Sequence, residues 1–275
     1  MDQLFPGVIR FPGAITHKTG ELASSLLSRV EQQRAVEYPV ISETYAVNRS
    51  GHRIPIENID KSCVRFSNFE DNELPIIKNF EKTFNSLLLE YCAEYPMSIP
   101  CLWWKTEGHV LLYGKGSELG LHADIDVNYQ PGNIPDYQLG TRHVLAAIAY
   151  FDVSSNGGDL VFPYLDLRIT PQSGDVIFFP SHFIFAHKVE PIFAGHRFAY
   201  LTYFGQGTDN ARAPMTIRES GDTIHGGQVW VDWLPGKYAE YLSNNFGDNA
   251  EERLLPLTRT TTSSGTFDEL SRIHQ

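Results

Sequence analysis

The stretch from residue 142 to 204 decides the fold: RHVLAAIAYF (142–151), GDLVFP (158–163), LDLRIT (165–170), DVIFFP (175–180), FIFAHKVEP (183–191) and RFAYLTYF (197–204). Each run is short and rich in Val, Ile, Phe and Tyr, which suit a pleated, buried surface. The linkers SSNGG (154–158) and TPQSG (170–174) carry turn chemistry. No segment of helical period separates the runs, which argues against parallel βαβ winding. Upstream, HVLLYG (109–114) and GLHADIDV (120–127) bring the number of strand-like runs to eight, the pattern of an antiparallel sandwich or jelly roll. NYQPGNIPDYQLGT (128–141) is too polar and too broken for a strand and reads as a loop over one end of the sheet.

Outside that core the period changes. In THKTGELASSLLSRVEQQRA (16–35), Leu22, Leu26 and Val30 recur four apart, with Thr16 or Thr19 available as an N-cap. In 72–95, Ile76, Phe80, Phe84, Leu87, Leu88 and Tyr91 form one helical stripe that opens after Pro75 and stops at Pro96. Both stripes are expected to brace the sheet. WVDWLPGKYAEYLSNNFGD (230–248) predicts a short helix, and TRTTTSSGT (258–266) a polar tail. One domain is expected over 1–255, with a helical part to about 100, a β core over about 105–205, an extension over 206–255, and a tail over 256–275.

The 275 residues include 42% hydrophobic and 12% aromatic side chains, enough for a large core and against disorder as the main state. A formal net charge of −11 without a basic block disfavours nucleic acid and anionic membranes as partners. Three cysteines, Cys63, Cys92 and Cys101, match neither a disulfide framework nor a zinc knuckle, and are expected as buried thiols. With no signal-peptide pattern and no membrane-length apolar run, a cytoplasmic location is expected.

Ten histidines are present, so position must choose among them. His122 and Asp124 lie two apart in a strand-like run, which puts both on one face. His187 lies in a later run that an antiparallel sheet would bring beside them. Two histidines and a carboxylate on one face match the facial triad of non-haem Fe(II) sites, and the same ligands could hold zinc. Arg197 follows ten residues after His187, among Phe198, Tyr200 and Tyr203. A buried guanidinium there calls for an anion, either a bound carboxylate or an internal Asp or Glu. His182, five residues before His187, has the wrong parity to share its face in an uninterrupted strand. His109, His143 and His196 read as structural or surface residues.

His122-Ala123-Asp124, GGDLVFP (157–163), PQSGDVIFF (171–179) and HKVEPIFAGHRFAYLTYF (187–204), in that order and spacing, resemble the Fe(II)/2-oxoglutarate-dependent dioxygenases, and within them the prolyl 4-hydroxylase-like group. The resemblance implies a mainly β fold with flanking helices, in which a double-stranded β-helix (jelly-roll) core is braced by N-terminal helices. It implies that His122, Asp124 and His187 bind Fe(II). Arg197 would then pair with the distal carboxylate of 2-oxoglutarate, with O2 as the second cosubstrate. Tyr113, in LLYGKGSELGLHAD (111–124), matches a tyrosine that hydrogen-bonds the cosubstrate, and Thr202 a threonine that often follows the arginine. An aspartate at 124, where related halogenases have a small residue, implies hydroxylation of an unactivated C–H bond. Tyr129, Asp136, Tyr137 and Arg142 are candidate substrate contacts for a small molecule, such as a free amino acid or a natural-product intermediate. The alternatives are a cytoplasmic peptide or protein prolyl hydroxylase, a nucleic-acid demethylase, which the acidic balance disfavours, and a non-catalytic binding module.

Overall fold

Alternation along His143–Val153 organises the molecule. Ala146, Ile148 and Tyr150 face one hydrophobic core, while Leu145, Ala147, Ala149 and Phe151 face another. Both faces are covered, so residues 144–151 are apolar throughout instead of alternating with polar residues. In the computed structural model, which describes residues 1–16, 19–55, 64–66, 68–125, 142–207 and 228–247, this strand lies at the centre of a nine-stranded antiparallel sheet. Its neighbours are Val176–Pro180 on one side and Arg197–Gly205 on the other. Arg197–Gly205 pairs in turn with His109–Tyr113 and Trp104–Thr106.

A second, four-stranded sheet runs in the order Leu167–Ile169, Leu160–Phe162, His187–Val189 and Leu119–His122. The two sheets enclose one core, giving the mainly β jelly roll with flanking helices that the eight runs predict. Gly157 turns the chain between them at φ +86°, and a Cβ there would sit 2.3 Å from the Pro191 carbonyl oxygen. Only glycine fits that turn.

The outer face of the large sheet packs on helices. Helix Leu74–Glu94 starts with Pro75 in its first turn, and Pro96 follows its C-terminal cap. Phe84 meets the rings of Phe178 and Tyr200 at 6.0 and 5.8 Å, and Phe80 meets Tyr200 at 5.3 Å. Fully burying each such ring stabilises the fold by about 1.5–3 kcal/mol. The buried stripe includes Ile77 and Cys92, whereas the expected Ile76 and Leu87 are only partly covered. Helix Gly20–Glu37 follows Thr19, whose hydroxyl does not cap it but donates to the Phe151 carbonyl at 2.8 Å, tying helix to sheet. Helix Leu234–Phe246 closes this layer, and Tyr238 donates to the Cys92 carbonyl at 3.3 Å.

Several features have no counterpart in the sequence reading: the hairpin Asp2–Phe5/Val8–Phe11, which extends the large sheet beyond Val176–Pro180, the meander through Val40–Ile41, Tyr45–Val47 and Arg53–Pro55, and strands Val64–Phe66, Trp104–Thr106 and Gln228–Trp230 of the large sheet. Cys92 is buried and Cys101 half-buried, while Cys63 and the 256–275 tail lie outside the described residues. No described helix is long and apolar enough to cross a membrane.

Candidate active site

The registers of the two sheets assemble the site. In the smaller sheet His187 pairs directly with His122, so the two rings stand 4.4 Å apart by centroid. Asp124 follows two residues after His122, and its Oδ1 lies 3.7 Å from His122 Nε2 and 3.8 Å from His187 Nε2. The ligand atoms of the three residues all lie within 4.8 Å of one another.

Backbone carbonyls fix the histidine tautomers. His122 Nδ1 lies 2.9 Å from the Gly120 carbonyl, and His187 Nδ1 lies 3.1 Å from that of Phe185. A carbonyl can only accept, so each Nδ1 carries the proton and each Nε2 keeps a lone pair for a metal. Burial among apolar groups, with the rings of Phe179 and Phe162 at 4.9 and 5.5 Å, pulls the His187 pKa down to about 4 and keeps the imidazole neutral. Burial pushes Asp124 up, while His122 and the Tyr203 hydroxyl pull against that rise. Among the described residues, Asp124 Oδ2 is buried without a hydrogen-bond partner. A histidine held neutral by burial, a second histidine whose Nδ1 faces a carbonyl, and a carboxylate with an oxygen left over fit a divalent cation.

The larger sheet supplies the other wall. Arg197, only 2% exposed, pairs in register with Tyr113 and points into the same cavity of about 240 Å³. Among the described residues its guanidinium meets a tyrosine hydroxyl and two aromatic rings, not a carboxylate. It donates to Tyr150 Oη at 2.7 Å and lies 4.7 and 5.1 Å from the ring centroids of Tyr150 and Tyr113. Its Nε has no partner. Burial raises the pKa of Tyr150, so the phenol keeps a proton of its own to donate. The remaining wall is apolar and includes Leu111, Ile148, Leu160, Phe179, Val189 and Leu201.

These geometries bring together five of the sequence candidates: His122, Asp124, His187, Arg197 and Tyr113. Thr202 is placed elsewhere. It lies five residues from Arg197 and so on the opposite face of the strand, where it donates to the Thr106 carbonyl at 2.7 Å. Arg142 does not line the cavity; its carbonyl accepts from the Gln206 N–H at 3.2 Å. Tyr129, Asp136 and Tyr137 lie outside the described residues. His182 is exposed, packed edge-on against Phe185. Two tyrosines escaped the sequence reading: Tyr150 at the guanidinium and Tyr203 at the carboxylate. His143, read as a structural or surface residue, is buried, with its Nδ1 3.2 Å from the Asp124 carbonyl oxygen.

Residues 108–205 match the sequence model of the 2OG-Fe(II) oxygenase superfamily, and every cavity residue named above falls within them. Those residues, which hold most of the jelly-roll core, carry the match to that superfamily's oxygenase domain. Oxygenases of the superfamily use Fe(II), 2-oxoglutarate and O2, and the chain is an Fe(II)/2-oxoglutarate-dependent dioxygenase. No curated protein sequence matches the chain. Among solved structures, this oxygenase is similar to a viral collagen prolyl hydroxylase from Paramecium Bursaria Chlorella virus-1 in its 2OG complex, at 14% identity and TM-score 0.45, covering 74% of this chain and 97% of that one. It is also similar to a prolyl hydroxylase from Trichoplax adhaerens in complex with a hypoxia inducible factor peptide fragment, at 16% identity and TM-score 0.48, covering 74% and 86%. A prolyl-4-hydroxylase from Pseudomonas putida aligns at 16% identity and TM-score 0.40, covering 74% and 94%.

Proposed function

We propose that this oxygenase hydroxylates an unactivated C–H bond of a small molecule, with His122, Asp124 and His187 holding Fe(II) and Arg197 holding the distal carboxylate of 2-oxoglutarate. The observation that carries the reading is the buried Arg197 guanidinium, without a carboxylate among the described residues, facing the same cavity as the three ligand atoms. A fork of N–H donors in an apolar wall suits a planar carboxylate. Tyr150 orients that fork, and the Tyr113 ring packs against it. Iron with 2-oxoglutarate and O2 supplies the oxidising power, 2-oxoglutarate leaving as succinate and CO2 while one oxygen atom enters the substrate. The protein's share is placement: the apolar wall keeps bulk water from the reacting centre, and the Nδ1 hydrogen bonds hold the two imidazoles in position.

A cavity of about 240 Å³ is below the roughly 300–1,000 Å³ usual for drug-sized ligands and must also take the cosubstrate. That supports a small molecule or a single side chain at the reacting position, a free amino acid or a natural-product intermediate included. A peptidic substrate is the second reading. Leu119–His122 is the outer strand of its sheet, with Leu119 and Leu121 exposed beside His122, an edge that an extended chain could join. Anaerobic titration with Fe(II) and 2-oxoglutarate should give a weak visible charge-transfer band that His187→Ala removes. Absence of the band in folded wild-type protein refutes the site assignment. Succinate release across free amino acids and proline-containing peptides then separates the two substrate readings.

A further inference from the structure

Asp124 is held by two residues that sequence patterns did not single out. Tyr203 Oη donates to Asp124 Oδ1 at 3.2 Å, and this is the same oxygen that lies nearest both histidine Nε2 atoms. His143 stacks face to face on the Tyr203 ring, with centroids 4.0 Å apart and planes within 9°. His143 Nδ1 also lies 3.2 Å from the Asp124 carbonyl, which must be the acceptor. One imidazole thus steadies both the backbone of Asp124 and the phenol that grips its side chain. We propose that Tyr203 and His143 are a positioning pair that sets how the Asp124 carboxylate is presented to a divalent cation.

A carboxylate oxygen has two lone-pair directions. The phenol proton takes one on Oδ1 and so fixes rotation of the carboxylate, leaving the other direction for a metal. Oδ2 has no hydrogen-bond partner among the described residues, so the Tyr203 hydroxyl makes the hydrogen bond that the carboxylate has there. The parity of the strand makes this possible: Tyr203 lies six residues from Arg197, on the cavity face, so one strand orients both the anion-binding and the metal-binding ends of the site.

The inference rests on the metal-site reading above, and Mn(II) titration of the full chain without cosubstrate, read by electron paramagnetic resonance, separates the two. Tyr203→Phe keeps the ring and its stack on His143 but removes the donor. It should weaken Mn(II) binding about 10- to 100-fold, the usual loss when a ligand's hydrogen-bond partner is removed. The visible bands of the Co(II) form should shift as well. His143→Phe keeps a ring on Tyr203, loses the contact to the Asp124 carbonyl, and should weaken binding in the same direction. Affinity for Tyr203→Phe within twofold of wild type, or tighter, overturns the inference while leaving the metal site standing, even if the melting temperature falls. Wild-type protein that binds no Mn(II) overturns the metal-site reading and this inference with it.

Discussion

Replacing Arg197 by methionine should make the cosubstrate-free protein more stable and unable to hold 2-oxoglutarate. The guanidinium is 2% exposed and, among the described residues, has one neutral hydrogen bond to Tyr150 at 2.7 Å, an unpartnered Nε, and two aromatic rings about it. Its favourable contacts amount to about 1 kcal/mol for the hydrogen bond and about 0.5–2 kcal/mol for each ring. Desolvating an uncompensated cation costs several kcal/mol, and replacing even a paired buried charge by an apolar side chain often stabilises by about 1–4 kcal/mol. Methionine approximates the length and volume without the charge. The melting temperature of the free protein should therefore rise, at roughly 2–4 °C per kcal/mol for a chain of this size class. With Mn(II) present, wild-type protein should gain about 2.7 kcal/mol at 2-oxoglutarate concentrations of 100 times Kd, and the variant should gain almost nothing. Losing one partner of a buried charge pair costs about 2–5 kcal/mol, or roughly 30- to 5,000-fold in cosubstrate affinity. Differential scanning fluorimetry with and without 2-oxoglutarate reads both effects. A variant that melts lower than wild type yet is still stabilised by 2-oxoglutarate would refute the assignment of Arg197 as a destabilising cation awaiting an anion.

Thr202→Val should leave 2-oxoglutarate affinity within twofold of wild type but cost about 1–3 kcal/mol in urea unfolding, because the Thr106 carbonyl then loses a buried donor; a selective loss of cosubstrate binding would put Thr202 back at the site. Gly157→Ala should destabilise by several kcal/mol or prevent folding, since its Cβ would sit 2.3 Å from the Pro191 oxygen at a φ of +86°, and a wild-type melting temperature would contradict that turn. Phe84→Ala should cost about 3–5 kcal/mol through the cavity left against Phe178 and Tyr200, measured by chemical denaturation, with a loss below 1 kcal/mol arguing against that packing. Burial pushes the Cys92 thiol up to about 12, against an ordinary value of 9.0. The unfolded state therefore binds fewer protons than the folded one between those values, and this residue's contribution to stability falls as pH rises through that window. Cys92→Ala should flatten the alkaline stability profile by up to about 1.4 kcal/mol per pH unit, and an unchanged slope would mean that the thiol ionises in the folded state.

Strand parity accounts for both the legible and the hidden parts of the site. His122 and Asp124 could be paired because two residues of an extended run share a face, although the strand ends at His122 and Asp124 sits in the turn after it; His182 is set apart by the 3-10 turn Phe183–Phe185 that precedes strand His187–Val189. The same rule, applied to Arg197, excludes Thr202 at an offset of five and admits Tyr203 at an offset of six. Thr202 was carried by resemblance, and its hydroxyl serves Thr106 instead. Tyr150 left no such mark. It lies in RHVLAAIAYF, where both faces are buried and every residue looks like core, and its meeting with Arg197 depends on three-dimensional packing that no spacing reveals. The N-terminal hairpin was hidden for another reason: two four-residue strands acquire their stability by adding to the edge strand Val176–Pro180, a partner far away in sequence.

A consequence follows for how substitutions along Arg197–Gly205 divide. Arg197, Ala199, Leu201 and Tyr203 face the cavity, whereas Phe198, Tyr200 and Phe204 face the core shared with the helices. Tyr200 stacks on Phe80 and Phe84, and its hydroxyl donates to Glu81. Apolar truncations on this second set should lower stability without acting on the ligand atoms directly. On the first set the polar residues act on ligands and are the costly ones to bury: an uncompensated cation at one end of the strand, and a phenol gripping a half-satisfied carboxylate near the other. The fold tolerates these because the opposite face of the same strand is almost wholly apolar and closely packed. Rigidity on the helix side is therefore what allows the cavity side to hold polar groups in place before any ligand arrives.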